Sequence, residues 1–301
     1  MKKILSTATK VAALALAAST LSFAGPGLAD GAAKFVGNIT QSNTAPGAND
    51  QFTKLWNQAT AENGCKWGSI EGTRGRYNWA GCDAAYNWAK NNGGHFKFHA
   101  LLWGGQYPGW LESLSVDETK KAITDWFDAV KNHYPDIEMI DVANEAIRTG
   151  NNQYHSGYTR TKIIPALGGD NGDYAFLTTA FKMARERWPK AILIYNDYNT
   201  IQWHVDQGIN LINTIRKNGA PVDAYGLQAH DLMSDGGQAG GTGGGGVCMN
   251  YNNFVATMQK IHKETNNFPV LIFVYDVPST VDGIQKQCYQ EQVKYWMEDP
   301  H

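Results

Sequence analysis

The stretch IDVANEA, Ile140 to Ala146, ends an apolar run in three polar groups, Asp141, Asn144 and Glu145. An amide beside a carboxyl group at a strand end can orient a substrate hydroxyl while the carboxyl gives up or takes a proton. An isolated Asn-Glu pair is more often a helix cap, so the reading depends on its company. ENGCKW supplies Glu62, Asn63, Lys66 and Trp67; HALLWGGQYPGW supplies His99, Trp103, Gln106 and Trp110. NDYN adds Asn196, Asp197, Tyr198 and Asn199, and GLQAH adds Gln228 and His230. This set has no metal-ligand spacing and no Ser or Cys nucleophile motif. It suits a sugar cleft, in which amides and charges bind hydroxyls while Trp and Tyr cover the apolar faces of the rings. Neither a metal nor a cofactor is expected.

Groups so far apart in the chain can meet only if each stands at the same end of its element. Short β-branched and aromatic runs alternate with segments of helical period, the rhythm of βα units around a parallel sheet. Seven candidate strands follow: KFVGNI, CKWGSI, HFKFHALLW, EMIDVAN, AILIYND, DAYGLQAH and PVLIFVY. Between them VDETKKAITDWFDAVKNHY begins with acids and DYAFLTTAFKMARERW ends with bases, as the helix dipole favours. Polar or aromatic side chains follow nearly every strand, whereas a doubly wound sheet would gather them at one switch point. The expected fold is therefore α/β, a closed (β/α) barrel of the TIM type, of which seven βα units can be counted. The low-complexity stretch SDGGQAGGTGGGG, Ser234 to Gly246, lacks the Lys and Ser/Thr of a phosphate-cradling loop and reads as a surface loop.

Residues 1–29 read as a secretory signal peptide: Lys2 and Lys3, then VAALALAASTLSFA, then small residues suited to cleavage after Ala24 or Ala29. The apolar run is too short for a membrane span of roughly 20 residues, so a secreted, extracellular chain of 30–301 is expected. Removing that segment takes away three lysines and no acid, moving the formal charge from −2 to −5. Nucleic acid is thereby an unsuitable partner, no membrane partner is expected, and a monomer is. Cys65, Cys82, Cys248 and Cys288 allow three pairings; Cys65 with Cys82 and Cys248 with Cys288 are favoured because each closes a local loop.

GNI, ENGCKW, HALLW, DVANEA, NDYN and GLQAH, in that order over roughly residues 34 to 277, resemble glycoside hydrolase family 10. These are the secreted retaining endo-β-1,4-xylanases, built on a (β/α)8 barrel. The resemblance implies that Glu145 is the general acid/base and that Asn144 binds the sugar 2-hydroxyl. It implies that His99 and Trp103 line the subsite of the reacting sugar, and that Glu62, Asn63, Lys66 and Gln106 wall the neighbouring non-reducing-side subsites. Tyr198 and Gln228 join the substrate-binding set, and xylan and xylo-oligosaccharides are the implied partners.

Two departures go with the matches. A retaining glycosidase needs a second carboxylate about 5 Å from the acid, which the family carries on the seventh strand as Thr/Ser-Glu-Leu/Tyr-Asp. Here the strand reads LIFVYDV, so Phe273 and Val274 stand in the Ser/Thr and Glu positions while Tyr275 and Asp276 match. Val274, at the nucleophile position, can neither attack nor carry charge, and activity is expected to be absent or impaired. His230, whose implied role is to hydrogen-bond that carboxylate, is expected to lose its partner. Asp276 would lie roughly 6.5 Å further along an extended strand, out of reach of the same carbon. The family's eighth βα unit does not follow IQKQCYQEQVKYWMED, so the barrel is read as C-terminally incomplete. Three readings stay open: an endo-1,4-β-xylanase by descent, a non-catalytic xylan-binding homologue, or a related β-1,4-glucanase.

Overall fold

The computed structural model describes residues 27–29, 32–41, 51–150, 153–232, 247–277, 279 and 281–300. The expected leader, apart from residues 27–29, and the glycine-rich stretch Ser234 to Gly246 lie outside the described residues. Seven strands run parallel in one sheet in chain order: β1 (Gly37–Thr40), β2 (Gln58–Ala61), β3 (His95–Trp103), β4 (Met139–Asn144), β5 (Ile192–Tyr198), β6 (Ala224–Gln228) and β7 (Val270–Phe273). A βα repeat gives this order when every crossover lands on the next position, and it brings all carboxyl ends to one face. Every residue of β4 is buried, as a central parallel strand covered on both faces requires.

Helices α1 (Ala80–Asn91), α2 (Val116–His133), α3 (Ala175–Arg187), α4 (Val205–Lys217) and α5 (Tyr251–Glu264) cover the outside. A last helix, α6 (Asp282–Cys288), continues through a π turn at Tyr289–Val293 to Lys294–Glu298. The start of α2 shows how local chemistry sets a boundary. Ser115 Oγ accepts from Glu118 N (3.3 Å) and Glu118 Oε2 from Ser115 N (2.9 Å), a reciprocal capping box. The helix then buries Ile123, Trp126, Phe127 and Val130 against the sheet. Trp126 donates its indole N–H to Leu101 O at 2.9 Å and stacks on Trp67 at 5.5 Å, so α2 is pinned to β3.

One expected strand is elsewhere. CKWGSI is not β2; Trp67–Ile70 is a helical turn, and the strand is the preceding QATA, buried at all four positions. Trp67 and Ile70 are both buried and three apart, which is helical spacing rather than alternation, and the disulfide at Cys65 holds this turn against α1. Glu62 to Lys66 therefore start directly after β2, on the carboxyl face. Both favoured disulfides are present, Cys65–Cys82 and Cys248–Cys288, spanning 17 and 40 residues.

Among the described residues β1 and β7 each pair on one side only, so the sheet curls as an arc. Lys34, just before β1, donates its ammonium to Trp296 O (2.6 Å) and also to Asp299 O, tying the first strand to the end of α6. Inside the arc Met139, Ile194, Ala224 and Phe273 pack with Phe35 and Leu271. Replacing Cys65 and Cys82 together by Ala is expected to lower stability by about 2–4 kcal/mol. Urea unfolding measures this; an unchanged midpoint would mean that the loop after β2 does not depend on the cross-link.

Candidate active site

Glu145 follows β4 directly, and its backbone turns left-handed (φ 57°) while its N–H donates to Asn196 O of β5 at 2.9 Å. That turn lifts the side chain out of the strand alternation and over the carboxyl face. One carboxyl oxygen accepts from the Trp103 indole at 2.7 Å and the other from the Gln228 amide at 3.2 Å. Asn144, 1% exposed, uses its Oδ1 to accept from Asn196 (3.0 Å) and Gln228 (3.1 Å). Four strands, β3 to β6, thus converge on Glu145 and the Asn144 beside it.

Burial pushes the Glu145 carboxyl above the ordinary carboxylate range, and the negative charge of Asp197 pushes the same way. Hydrogen bonds from Gln228, Trp103 and Asn144 favour the anion and offset only part of this. Asp197 is itself fully buried and densely bound. It accepts from Ile147 N (2.9 Å), Tyr198 N (2.8 Å) and the Tyr195 hydroxyl, and faces His155 Nδ1 at 2.6 Å. His155 continues to His204 (2.8 Å) and stacks on Tyr198 (4.2 Å), whose hydroxyl donates to His155 O at 3.0 Å.

On the other side of Glu145 the Lys66 ammonium donates to Asn63 Oδ1 (2.8 Å) and Gln106 Oε1 (2.6 Å) and lies 4.7 Å from the Trp103 ring centroid. Burial lowers its pKa, against the charges of Glu145 and Glu62. Glu62 is exposed beside this cluster. His99 sits below, its Nδ1 2.7 Å from Asp141 Oδ2, which also takes the Lys97 ammonium at 2.5 Å. The carboxylate can only accept, so Nδ1 carries the proton and Nε2 is left as an acceptor. Burial holds the His99 imidazole below its ordinary value, with Lys97 and Lys66 adding to the effect and Asp141 opposing it. Burial alone would raise Asp141, but the Lys97 charge and the His99 contact outweigh it and keep the carboxyl low.

At β7 the expectation for His230 is corrected. His230 is not left without a partner: its Nδ1 is 3.0 Å from Asp276 Oδ1. The strand ends at Phe273, and Val274 adopts φ 49°, so alternation stops and the spacing of an extended strand does not apply to Asp276. Val274 is 45% exposed, whereas Phe273 turns inward. Among the sequence-derived residues, Asn144, Glu145, Trp103 and Gln228 are joined directly, and Asn63, Lys66 and Gln106 form a second group. His99 stands beneath on Asp141, and Tyr198 stands behind through His155.

His155 and Lys97 carry no sequence reading, and Asp141 and Asp197 enter it only among the polar strand-end groups. Lys97 within HFKFHALLW and Asp141 within IDVAN were readable, since a charge in a buried strand demands a partner; nothing marked His155. Among the described residues no cluster of His, Cys, Asp or Glu could hold a metal ion, and no helix is long and apolar enough to cross a membrane. Asp197→Asn removes a charge that raises Glu145, so the Glu145 titration should move to lower pH. The Trp103 indole ¹H–¹⁵N resonance reports it, and an unmoved midpoint would exclude Asp197 as a cause.

Residues 27–291 match the family model described as glycosyl hydrolase family 10. Endo-1,4-beta-xylanase B of Cellvibrio japonicus is 36% identical over 270 residues, covering 90% of this chain and 40% of that protein. Endo-1,4-beta-xylanase 3 of Hypocrea jecorina is 31% identical over 191 residues, covering 62% of this chain and 52% of that one. The chain thus spans about half or less of the length of these relatives. A psychrophilic glycoside hydrolase family 10 endo-beta-1,4-xylanase superposes with a TM-score of 0.68 at 22% identity, covering 86% of this chain and 81% of that one. Xylanase 10B of Thermotoga petrophila, solved with xylobiose, gives 0.66 at 22% identity over 88% of this chain and 79% of its own. With the family pattern matched from the N-terminal segment through α6, and the curled parallel sheet of its (β/α)8 fold, the chain belongs to glycoside hydrolase family 10.

Proposed function

We propose that this chain is an endo-1,4-β-xylanase by descent, exported by a leader at residues 1–29, whose hydrolytic step is disabled at Val274. Its partners are xylan and xylo-oligosaccharides, bound by residues 30–301 acting as a monomer. The observation that carries the reading is Glu145, held between the Trp103 indole and the Gln228 amide and pushed toward its protonated form by burial. A carboxyl group in that state can give its proton to a glycosidic oxygen as the bond breaks. Asn144 supplies a contact to the 2-hydroxyl that strengthens as charge develops at the ring. His99 presents Nε2 to the reacting sugar, and Lys66, Asn63, Gln106 and Glu62 bind the hydroxyls of its non-reducing-side neighbour. Tyr198 closes the opposite side.

The retaining route then needs a carboxylate beneath the anomeric carbon to form the glycosyl-enzyme bond. Val274 offers only methyl groups, and Asp276 is engaged by His230. Sugar binding without turnover is the second reading, favoured by the coexistence of the hydrogen-bonded walls with the apolar Val274. The unaltered chain is expected to bind xylo-oligosaccharides and release no reducing sugar from xylan. Val274→Gly removes a β-branched side chain from left-handed backbone, where such residues cost of order 1–3 kcal/mol. That variant should cleave an aryl β-xylobioside only when azide is added: the azide nitrogen bonds to the anomeric carbon, the aryloxide leaves, and an α-glycosyl azide forms. Val274→Glu in a chain that also carries the family's eighth βα unit should hydrolyse xylan with retention. Robust turnover by the unaltered chain, or an azide-independent rate in Val274→Gly, would overturn the assignment.

A further inference from the structure

Ten tryptophans occur in the chain, and Trp203 alone among them is exposed, at 42%. It stands between β5, which ends at Tyr198, and α4, which begins at Val205, so it lies on the carboxyl face that bears Glu145. The loop carrying it is built to be stiff. Asp231, fully buried just after β6, accepts the backbone N–H groups of Ile201 (3.1 Å) and Gln202 (2.6 Å). Asn199 turns left-handed at φ 58°, and its carbonyl accepts from His204 N at 2.6 Å, closing the turn around the loop. Thr200 and Ile201 are completely buried, and His204 is held by His155 at 2.8 Å. The backbone on both sides of Trp203 is therefore fixed while its ring is left in water.

A large apolar ring on a rigid loop is a preorganised contact, because its ordering cost is met before any ligand arrives. The sheet order says what could cover it. Lys66, Asn63 and Gln106 follow β2 and β3, on one side of β4; Tyr198 ends β5 and Trp203 follows it, on the other. A linear sugar chain that crosses Glu145 from the β2–β3 wall must leave over the β5–β6 rim. We propose that Trp203 is a stacking platform for a pyranose ring on the reducing-end side of Glu145, extending the cleft beyond Tyr198. The proposal rests on the sugar-cleft reading given above and adds to it a subsite that only long ligands reach.

Titration calorimetry of the whole unaltered chain with xylobiose and with xylohexaose tests it, beside Trp203→Ala and Trp203→Phe. Trp203→Ala should bind xylohexaose about tenfold more weakly, the scale of one aromatic contact, and xylobiose unchanged. Trp203→Phe, which keeps a flat ring, should fall between, and all three proteins should melt at the same temperature because the indole is outside the core. Equal xylohexaose affinity in the unaltered and Trp203→Ala chains would overturn the platform while leaving the sugar cleft standing. An equal loss on both ligands would also overturn it. Absence of binding by the unaltered chain at both lengths would overturn the cleft reading and the platform together.

Discussion

A carboxyl group can hold its proton toward neutrality only if it is withdrawn from water, yet it must keep hydrogen-bond partners to be tolerated at all. Glu145 meets both demands through the convergence of four strands. Trp103 comes from β3, Asn144 and Glu145 from β4, Asn196 from β5 and Gln228 from β6. Trp103, Asn196 and Gln228 each come from a different βα unit, so the site exists only while the parallel order and register of β3 to β6 hold. The left-handed turn at Glu145 is the local counterpart of this constraint. Without it, strand alternation would direct the side chain into a face rather than over the sheet's end.

Beneath the site a second buried charge system sets the floor. Lys97 and Asp141 are neighbours across β3 and β4, and neither meets solvent to a significant extent. A buried pair contributes little net stability, because desolvation offsets most of the attraction, but loss of one partner strands the other and costs about 3–5 kcal/mol. Its effect on the site is orientation. Asp141 holds the Nδ1 side of His99, which fixes the tautomer and turns Nε2 upward. The same interior places the Lys97 ammonium 3.7 Å from the Phe273 ring centroid, so β3, β4 and β7 meet at one point below the cleft.

The polar strand ends were legible because each lies next to a strong periodic run, and β3 to β6 carry such runs. β2 was not: QATA is four small and polar residues whose burial comes from neighbours rather than from their own hydrophobicity. CKWGSI has the stronger local pattern but begins seven residues after Gln58, where the strand starts. The meeting of Glu145, Trp103 and Gln228, and of Lys66 with Asn63 and Gln106, follows from the same strand ends. Asp197, His155 and His204 were harder, since their relation depends on a loop after β4 folding back onto the end of β5. The pairing of His230 with Asp276 is not legible in the sequence for a different reason. Face alternation places Asp276 only if the strand runs past Phe273, and it stops there.

Phe273 and Val274 together set the end of β7. The Phe273 ring enters the arc's interior beside Met139, Ile194 and Ala224. Gly226 on the neighbouring strand leaves room for it; a Cβ there would lie 2.6 Å from the ring. With that ring committed inward and the Lys97 ammonium against its face, the chain leaves the strand at Val274 in the left-handed region. A side chain leaving from such a backbone does not point where an extended strand would send it. Backbone conformation as well as side-chain type therefore decides what position 274 presents. A carboxylate placed at 274 would need an extended end to β7 to stand beneath the sugar, and that geometry depends on what occupies 273 and on whether another strand pairs along the edge of β7.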